Sequence, residues 1–96
     1  MKTQSNGLRF TANQNVASSV HDDGIVLLHI GDGHMFASNA AGARIWRGVE
    51  QRQSLEAIVN GISDEFQIGR TTARADVVGF LAELERHALI QRQGAL

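Results

Sequence analysis

Four histidines, His21, His29, His34 and His87, are the side chains best suited to holding a metal or moving a proton. A zinc-binding helix would need two of them four residues apart on one face, or cysteines beside them. No pair has that offset, cysteine is absent, and His29 and His34 flank Gly31-Asp32-Gly33, where they are expected to face each other across a hairpin. No metal and no cofactor is expected. Nucleophilic catalysis would set Ser18, Ser19 or Ser38 against a base such as His21, itself oriented by Asp22, in a site closed to water. These residues fall in turns and short strands of a chain too small to enclose a substrate, so they read as solvated turn residues and the chain as no enzyme. Gly31-Asp32-Gly33 lacks the third glycine and the following helix of a phosphate-binding fingerprint, which leaves turn chemistry.

The elements that carry these residues belong to one domain. At 96 residues, 43% hydrophobic and 20% charged, the chain is globular in composition, and a chain of this size hides about two thirds of its unfolded surface on folding. Nine Lys and Arg against ten Asp and Glu give a formal charge of −1, so no long-range field draws it to nucleic acid or an anionic membrane. Zero cysteine suits a reducing compartment, and cytoplasmic localisation is expected. The first seven residues hold no apolar run, and the longest aliphatic run is Ile25-Val26-Leu27-Leu28, so neither a signal peptide nor a membrane span is expected.

Residues 1–15 are rich in Thr, Gln, Ser and Asn, with only Leu8 and Phe10 large and apolar. They read as a flexible N-terminal segment or a weak first strand, ahead of a single domain at 16–92. Residues 16–20 suggest a short strand and His21-Asp22-Asp23-Gly24 a turn. Ile25-Val26-Leu27-Leu28-His29-Ile30 and His34-Met35-Phe36-Ala37-Ser38 then form a β-hairpin about the glycine turn.

The period changes after Asn39, a good N-cap, and residues 40–49 place Ala43, Ile45, Trp46 and Val49 on a buried stripe. A second helix starts at Ser54 with Leu55, Ile58, Val59, Ile62 and Phe66 in register, Glu56 in its first turn and Gly69 ending the unit. The third opens near Thr71 or Thr72 and carries Ala73, Val77, Phe80, Leu81, Leu84 and Ala88. Leu89-Ile90-Gln91 returns as a short strand or caps the core. The fold class is therefore α+β and winged-helix-like: a small antiparallel sheet, a hairpin with a possible third strand, packed on three helices. Trp46 reads as core. The alternative function for such a module, a winged-helix DNA-binding regulator, meets a charge problem: Arg70 and Arg74 are offset by Asp76, and Glu83 and Glu85 by Arg86, so no basic stripe forms.

Residues 33–90 resemble the PqqD-like family, also called RiPP recognition elements. The resemblance rests on Gly33-His34-Met35-Phe36-Ala37-Ser38-Asn39-Ala40-Ala41-Gly42-Ala43-Arg44-Ile45-Trp46, on Ser54-Leu55-Glu56-Ala57-Ile58, on Ala75-Asp76-Val77-Val78-Gly79-Phe80-Leu81-Ala82-Glu83-Leu84 and on Ala88-Leu89-Ile90. Ser38 departs from the family pattern, which usually has Leu there. The Asn, Gly and Ile-Trp signature looks closer to stand-alone proteins of lasso-peptide and related natural-product clusters than to the pyrroloquinoline quinone chaperone. The resemblance implies a binding protein that takes the leader of a ribosomally made precursor peptide as an added strand and hands it to a modifying enzyme or leader peptidase. It places the peptide on the edge His34, Met35, Phe36, Ala37 and Ser38, against the third helix. Phe36, Val77, Phe80 and Leu84 are the expected apolar anchors, with Arg74 and Asp76 at the rim; the helical stripe equally needs the apolar four for the core. An exposed sheet edge also suits pairing with a second copy, a homodimer.

Overall fold

The computed structural model describes residues 7–93. Its elements run β1 (Arg9–Ala12), β2 (Val16–His21), β3 (Gly24–His29), β4 (His34–Asn39), α1 (Ala40–Glu50), α2 (Leu55–Phe66), α3 (Arg70–Arg86) and β5 (Ile90–Gln93). Strands β2, β3 and β4 form an antiparallel meander in that order, and β1 pairs with β5 in a separate two-stranded sheet. The α+β, winged-helix-like expectation stands: three helices and small antiparallel sheets.

Of the two readings of residues 1–15, a flexible segment or a weak first strand, residues 9–12 take the second, as β1. Phe10 is only 3% exposed and belongs to the core, which gives β1 apolar burial to offset the entropy of ordering it. Arg92 of β5 lies over the Phe10 ring, 5.8 Å from its centroid, and pairs with Glu85 of α3 at 2.8 Å. The backbone N–H of Asn13 donates to the Leu89 carbonyl, and its side chain donates to the Ala88 carbonyl. The folded unit therefore starts before residue 16. Residues 1–6 and 94–96 lie outside those described.

Strand alternation explains the meander. Ile25 and Leu27 point into the core, while Leu28 and Met35 are exposed on the outer face. His29 faces His34 across the turn, as the spacing predicts. Asn39 caps α1 by accepting from the Gly42 N–H at 3.0 Å, and Ser54 caps α2 by accepting from the Ala57 N–H at 3.1 Å. Trp46, Ile58, Ile62, Leu81, Leu84 and Leu89 are the large side chains at the centre of the core. Helix α3 starts at Arg70, one residue earlier than expected, with Gly69 in an extended conformation before it. Gly69 does not end α2; Gln67 does, in the left-handed region at φ 55, with its N–H donating to the Ser63 carbonyl. Among the described residues, no helix is long and apolar enough to cross a membrane.

Candidate functional site

Among the described residues, β4 has a strand partner on one side only, β3. Which of its backbone groups stay free follows from the hydrogen-bond pattern. The Ile30 N–H donates to the Asn15 carbonyl at 2.7 Å, which marks Asn15–Ile30 as a bonded pair, and by alternation Ala17–Leu28, Ser19–Val26 and His21–Gly24 are bonded pairs too. The intervening residues of β3, Ile25, Leu27 and His29, therefore turn their N–H and C=O to Ser38, Phe36 and His34 of β4. Met35, Ala37 and Asn39 are left to point theirs outward. The open edge thus offers amides of Met35, Ala37 and Asn39, while the side chains of His34, Phe36 and Ser38 face the helices.

That inner row meets α3 through aromatic rings. Phe36 and Phe80 stand edge to face at 6.0 Å between centroids, Phe36 and His87 at 5.4 Å, and His34 stacks on His87 at 5.1 Å. Ser38 lies over Gly42, where an added Cβ would come within 2.3 Å of the Ser38 Oγ and 3.0 Å of the Phe80 Cζ. Gly42 is thus the residue that lets β4, α1 and the Phe80 ring approach closely. Phe36 and Phe80 are both half-buried, with part of each ring open to solvent.

The expected anchors divide. Val77 and Leu84 are fully buried in the core and present no surface to a ligand, so their expected place in a groove is corrected: α3 turns one stripe to the core and the neighbouring one, Asp76, Phe80, Glu83 and His87, to β4. Arg74 is also displaced from the rim. Its guanidinium and that of Arg70 both pair with Glu56 of α2, on the other flank of α3, and Arg70 donates as well to the Asn60 Oδ1 at 2.6 Å. The Arg74 hydrogen bond holds the Glu56 carboxyl below the usual carboxylate range, partial burial opposes this, and the Arg70 bond adds to it. Asp76 is exposed, one helical turn before Phe80 on α3. His87 and Glu83 join the site without having been expected there. His87 is seven residues after Phe80, two helical turns, and that spacing carried the signal; its Nε2 lies 3.5 Å from a Glu83 oxygen.

Two concavities lie elsewhere. One of about 330 Å³ is lined by Val20, His21, Asp22, Arg44, Arg47 and Glu65, the other, about 140 Å³, by residues including Leu8, Phe10, Leu55, Val78, Leu81 and Arg92. Beside α3, β4 presents an open edge and the half-buried rings of Phe36 and Phe80, an arrangement that suits an extended segment pairing by its backbone. On α3, Arg70 and Arg74 are tied to Glu56, and Arg86 pairs with Glu83 at 2.9 Å, so these arginines form no basic stripe for phosphates.

The chain is similar to TbiB1, whose structure is known in complex with the TbiA(beta) leader peptide: 33% identical, TM-score 0.80, with 88% of this chain and 99% of that one covered. It also shares the fold of a lasso peptide synthetase B1 complexed with the leader peptide, at 20% identity and a TM-score of 0.78, covering 86% of this chain and 98% of that one. Comparison with curated proteins gives no match. The family described as coenzyme PQQ synthesis protein D matches over residues 24–90, the span from the first residue of β3 to the first of β5, and the chain belongs to that PqqD family.

Proposed function

We propose that this protein is a non-catalytic, cytoplasmic binding protein that takes the leader of a ribosomally synthesised precursor peptide as an added strand on β4 and presents it to a modifying enzyme or leader peptidase. The carrying observation is the open, uncharged edge of β4, His34-Met35-Phe36-Ala37-Ser38-Asn39, set beside the half-open rings of Phe36 and Phe80. The similarity to TbiB1, a protein seen with a leader peptide, supports the same reading.

Magnitudes separate the roles of edge and rings. Four backbone bonds at roughly 0.5 to 1.5 kcal/mol each contribute about 2 to 6 kcal/mol. Ordering a disordered leader costs about 2 to 5 kcal/mol. Micromolar affinity needs about 8 kcal/mol, so backbone pairing fixes register and apolar side chains of the leader supply the surplus on Phe36 and Phe80. Met35 and Ala37 act through their amides, and Asp76, Glu83 and His87 line the polar border of the cleft. Partners are the leader and the enzyme that receives it; no cofactor, nucleic acid or membrane enters the reading.

The test is calorimetric titration with the leader half of the precursor peptide encoded beside this protein. Micromolar or tighter binding with a negative heat-capacity change and weak salt dependence is expected. Absence of heat with that leader, or duplex DNA binding that falls steeply with log salt, overturns the proposal.

A further inference from the structure

Among the described residues, the three-stranded sheet has a second open edge, β2, which the proposed leader site leaves unused. Strand β2 reads Val16-Ala17-Ser18-Ser19-Val20-His21, with no Lys, Arg, Asp, Glu or Pro, and pairs with β3 residue for residue without a bulge. Sheets that must stay unpaired guard their edges with charge, proline or bulges. The two-stranded sheet here does so, with Arg9 on β1 and Arg92 on β5. Strand β2 carries no such guard, and Val20 is 53% exposed on it.

Its free amides can be assigned. Because Ala17, Ser19 and His21 bond to β3, the groups of Val16, Ser18 and Val20 point outward. The Val16 N–H already donates to the Asn13 carbonyl at 3.1 Å. Outward donors are then the N–H of Ser18 and Val20, and outward acceptors include the carbonyls of Ser18 and Val16. A second copy, antiparallel about a two-fold axis at Ser18, matches these groups. Ser18 exchanges both bonds with Ser18 of the second copy, and each Val20 N–H meets a Val16 carbonyl across the axis, four bonds in all. A shift of one residue would set outward amides against inward ones. The side chains agree with the axis: Val16 falls opposite Val20, Ala17 opposite Ser19, and the acidic Asp22-Asp23 turns lie at opposite ends of the pair. A free peptide suits this edge poorly, because the concavity beside Val20 is lined by His21, Asp22, Arg44, Arg47 and Glu65 and lacks an aromatic pair like the one beside β4.

We propose that the β2 edge is a self-association surface on which two copies join into a continuous six-stranded sheet, with both β4 edges outermost and open. One strand edge covers well under the roughly 800 Å² per partner of a standard stable interface, so the dimer is reversible and builds up with concentration. Sedimentation velocity of the leader-free chain, from micromolar to near-millimolar loading, is expected to move from monomer to dimer. Ser18→Pro removes an outward donor that an edge strand can spare, and Val20→Lys sets a charge opposite Val16 of the second copy; both are expected to remain monomeric while binding leader as the parent does. The double variant Ala17→Cys with Ser19→Cys, in a chain otherwise free of cysteine, is expected to form a disulfide-linked dimer on oxidation. A monomer at every concentration overturns the proposal, as does association that survives both Ser18→Pro and Val20→Lys. Leader titration of the same variants reads β4 alone, so failure at one edge is distinguishable from failure at the other.

Discussion

Replacing Phe80 by Ala separates a ligand-facing ring from a core ring. Phe80 is half-buried, packed edge to face on Phe36 at 6.0 Å and lying over Gly42. Truncating a fully buried Phe costs about 3 to 5 kcal/mol, so a ring covered on one side should cost about 2 kcal/mol of stability. The uncovered side is where a leader side chain is proposed to sit, and losing such an anchor costs at least about 2 kcal/mol of binding, close to thirtyfold in Kd. Val77→Ala is the control: fully buried beneath the same helix, it should lose about 2 kcal/mol of stability through lost methyl burial and a small cavity. The assay pairs thermal unfolding of each variant with calorimetric leader titration at a temperature where every variant is folded. Similar losses of stability are expected, with a large loss of affinity for Phe80→Ala alone. If the two variants bind leader equally well, or lose affinity in parallel, the ring is core and the anchor assignment fails.

Ala37 turns its N–H outward from β4, so Ala37→Pro should leave the β3 ladder in place and cut leader affinity about tenfold, the worth of one edge bond, in the same titration. Unchanged affinity would count against strand addition. Glu56, whose folded-state carboxyl is held below its ordinary value by Arg74, contributes stability above the unfolded carboxylate pKa and loses it as pH falls through the depressed folded value. Parent protein should accordingly unfold at higher temperature than Glu56→Gln at neutral pH and lose that advantage in acid; a gap that is constant with pH would refute the ion-pair account. Ala88 sits at φ 59 just past α3, with the Leu89 N–H donating to the Leu84 carbonyl and the Ala88 N–H to that of Glu85. Ala88→Gly relieves the left-handed cost and should raise stability by up to about 1 kcal/mol after the entropy lost to glycine, read as a higher Tm.

The hairpin, both side-chain caps and the β4 edge were legible because each leaves a local mark: alternating apolar residues, Asn39 and Ser54 before a change of period, a glycine turn. Helix ends were less so. The three helices close on Arg52, Gln67 and Ala88 in the left-handed region, none of them the glycine that announces such an end, because tertiary packing and terminal carbonyl bonds override the local preference. Strand β1 was underread for a similar reason. Four residues carry too little pattern, and what orders them is Phe10 in the core and a strand some eighty residues later. On α3, the one-dimensional stripe merged Val77 and Leu84 with Phe80, although a rotation of a few tens of degrees about the axis divides core from cleft. Arg74 was misplaced because its partner, Glu56, is on another helix.

The open edge of β4 depends on where the chain goes after α3. Helix α3 ends beside the sheet, with His87 stacked on His34 of β4, and the apolar Leu89-Ile90 that follows is the kind of segment that would close a free edge. It is drawn elsewhere by three contacts. The left-handed Ala88 turns the backbone after His87, the Asn13 side chain holds that turn by donating to the Ala88 carbonyl at 3.0 Å, and the Asn13 N–H donates to the Leu89 carbonyl at 2.9 Å. From there Ile90 falls opposite Ala12 and the pairing with β1 runs outward to Arg9 and Gln93. The N-terminal strand therefore does more than add Phe10 to the core. By taking β5 as its own partner, it leaves β4, among the described residues, paired with β3 alone and with Phe36 and Phe80 half-buried beside it, and the proposed peptide finds an edge strand there because the chain's own candidate for that position is already engaged.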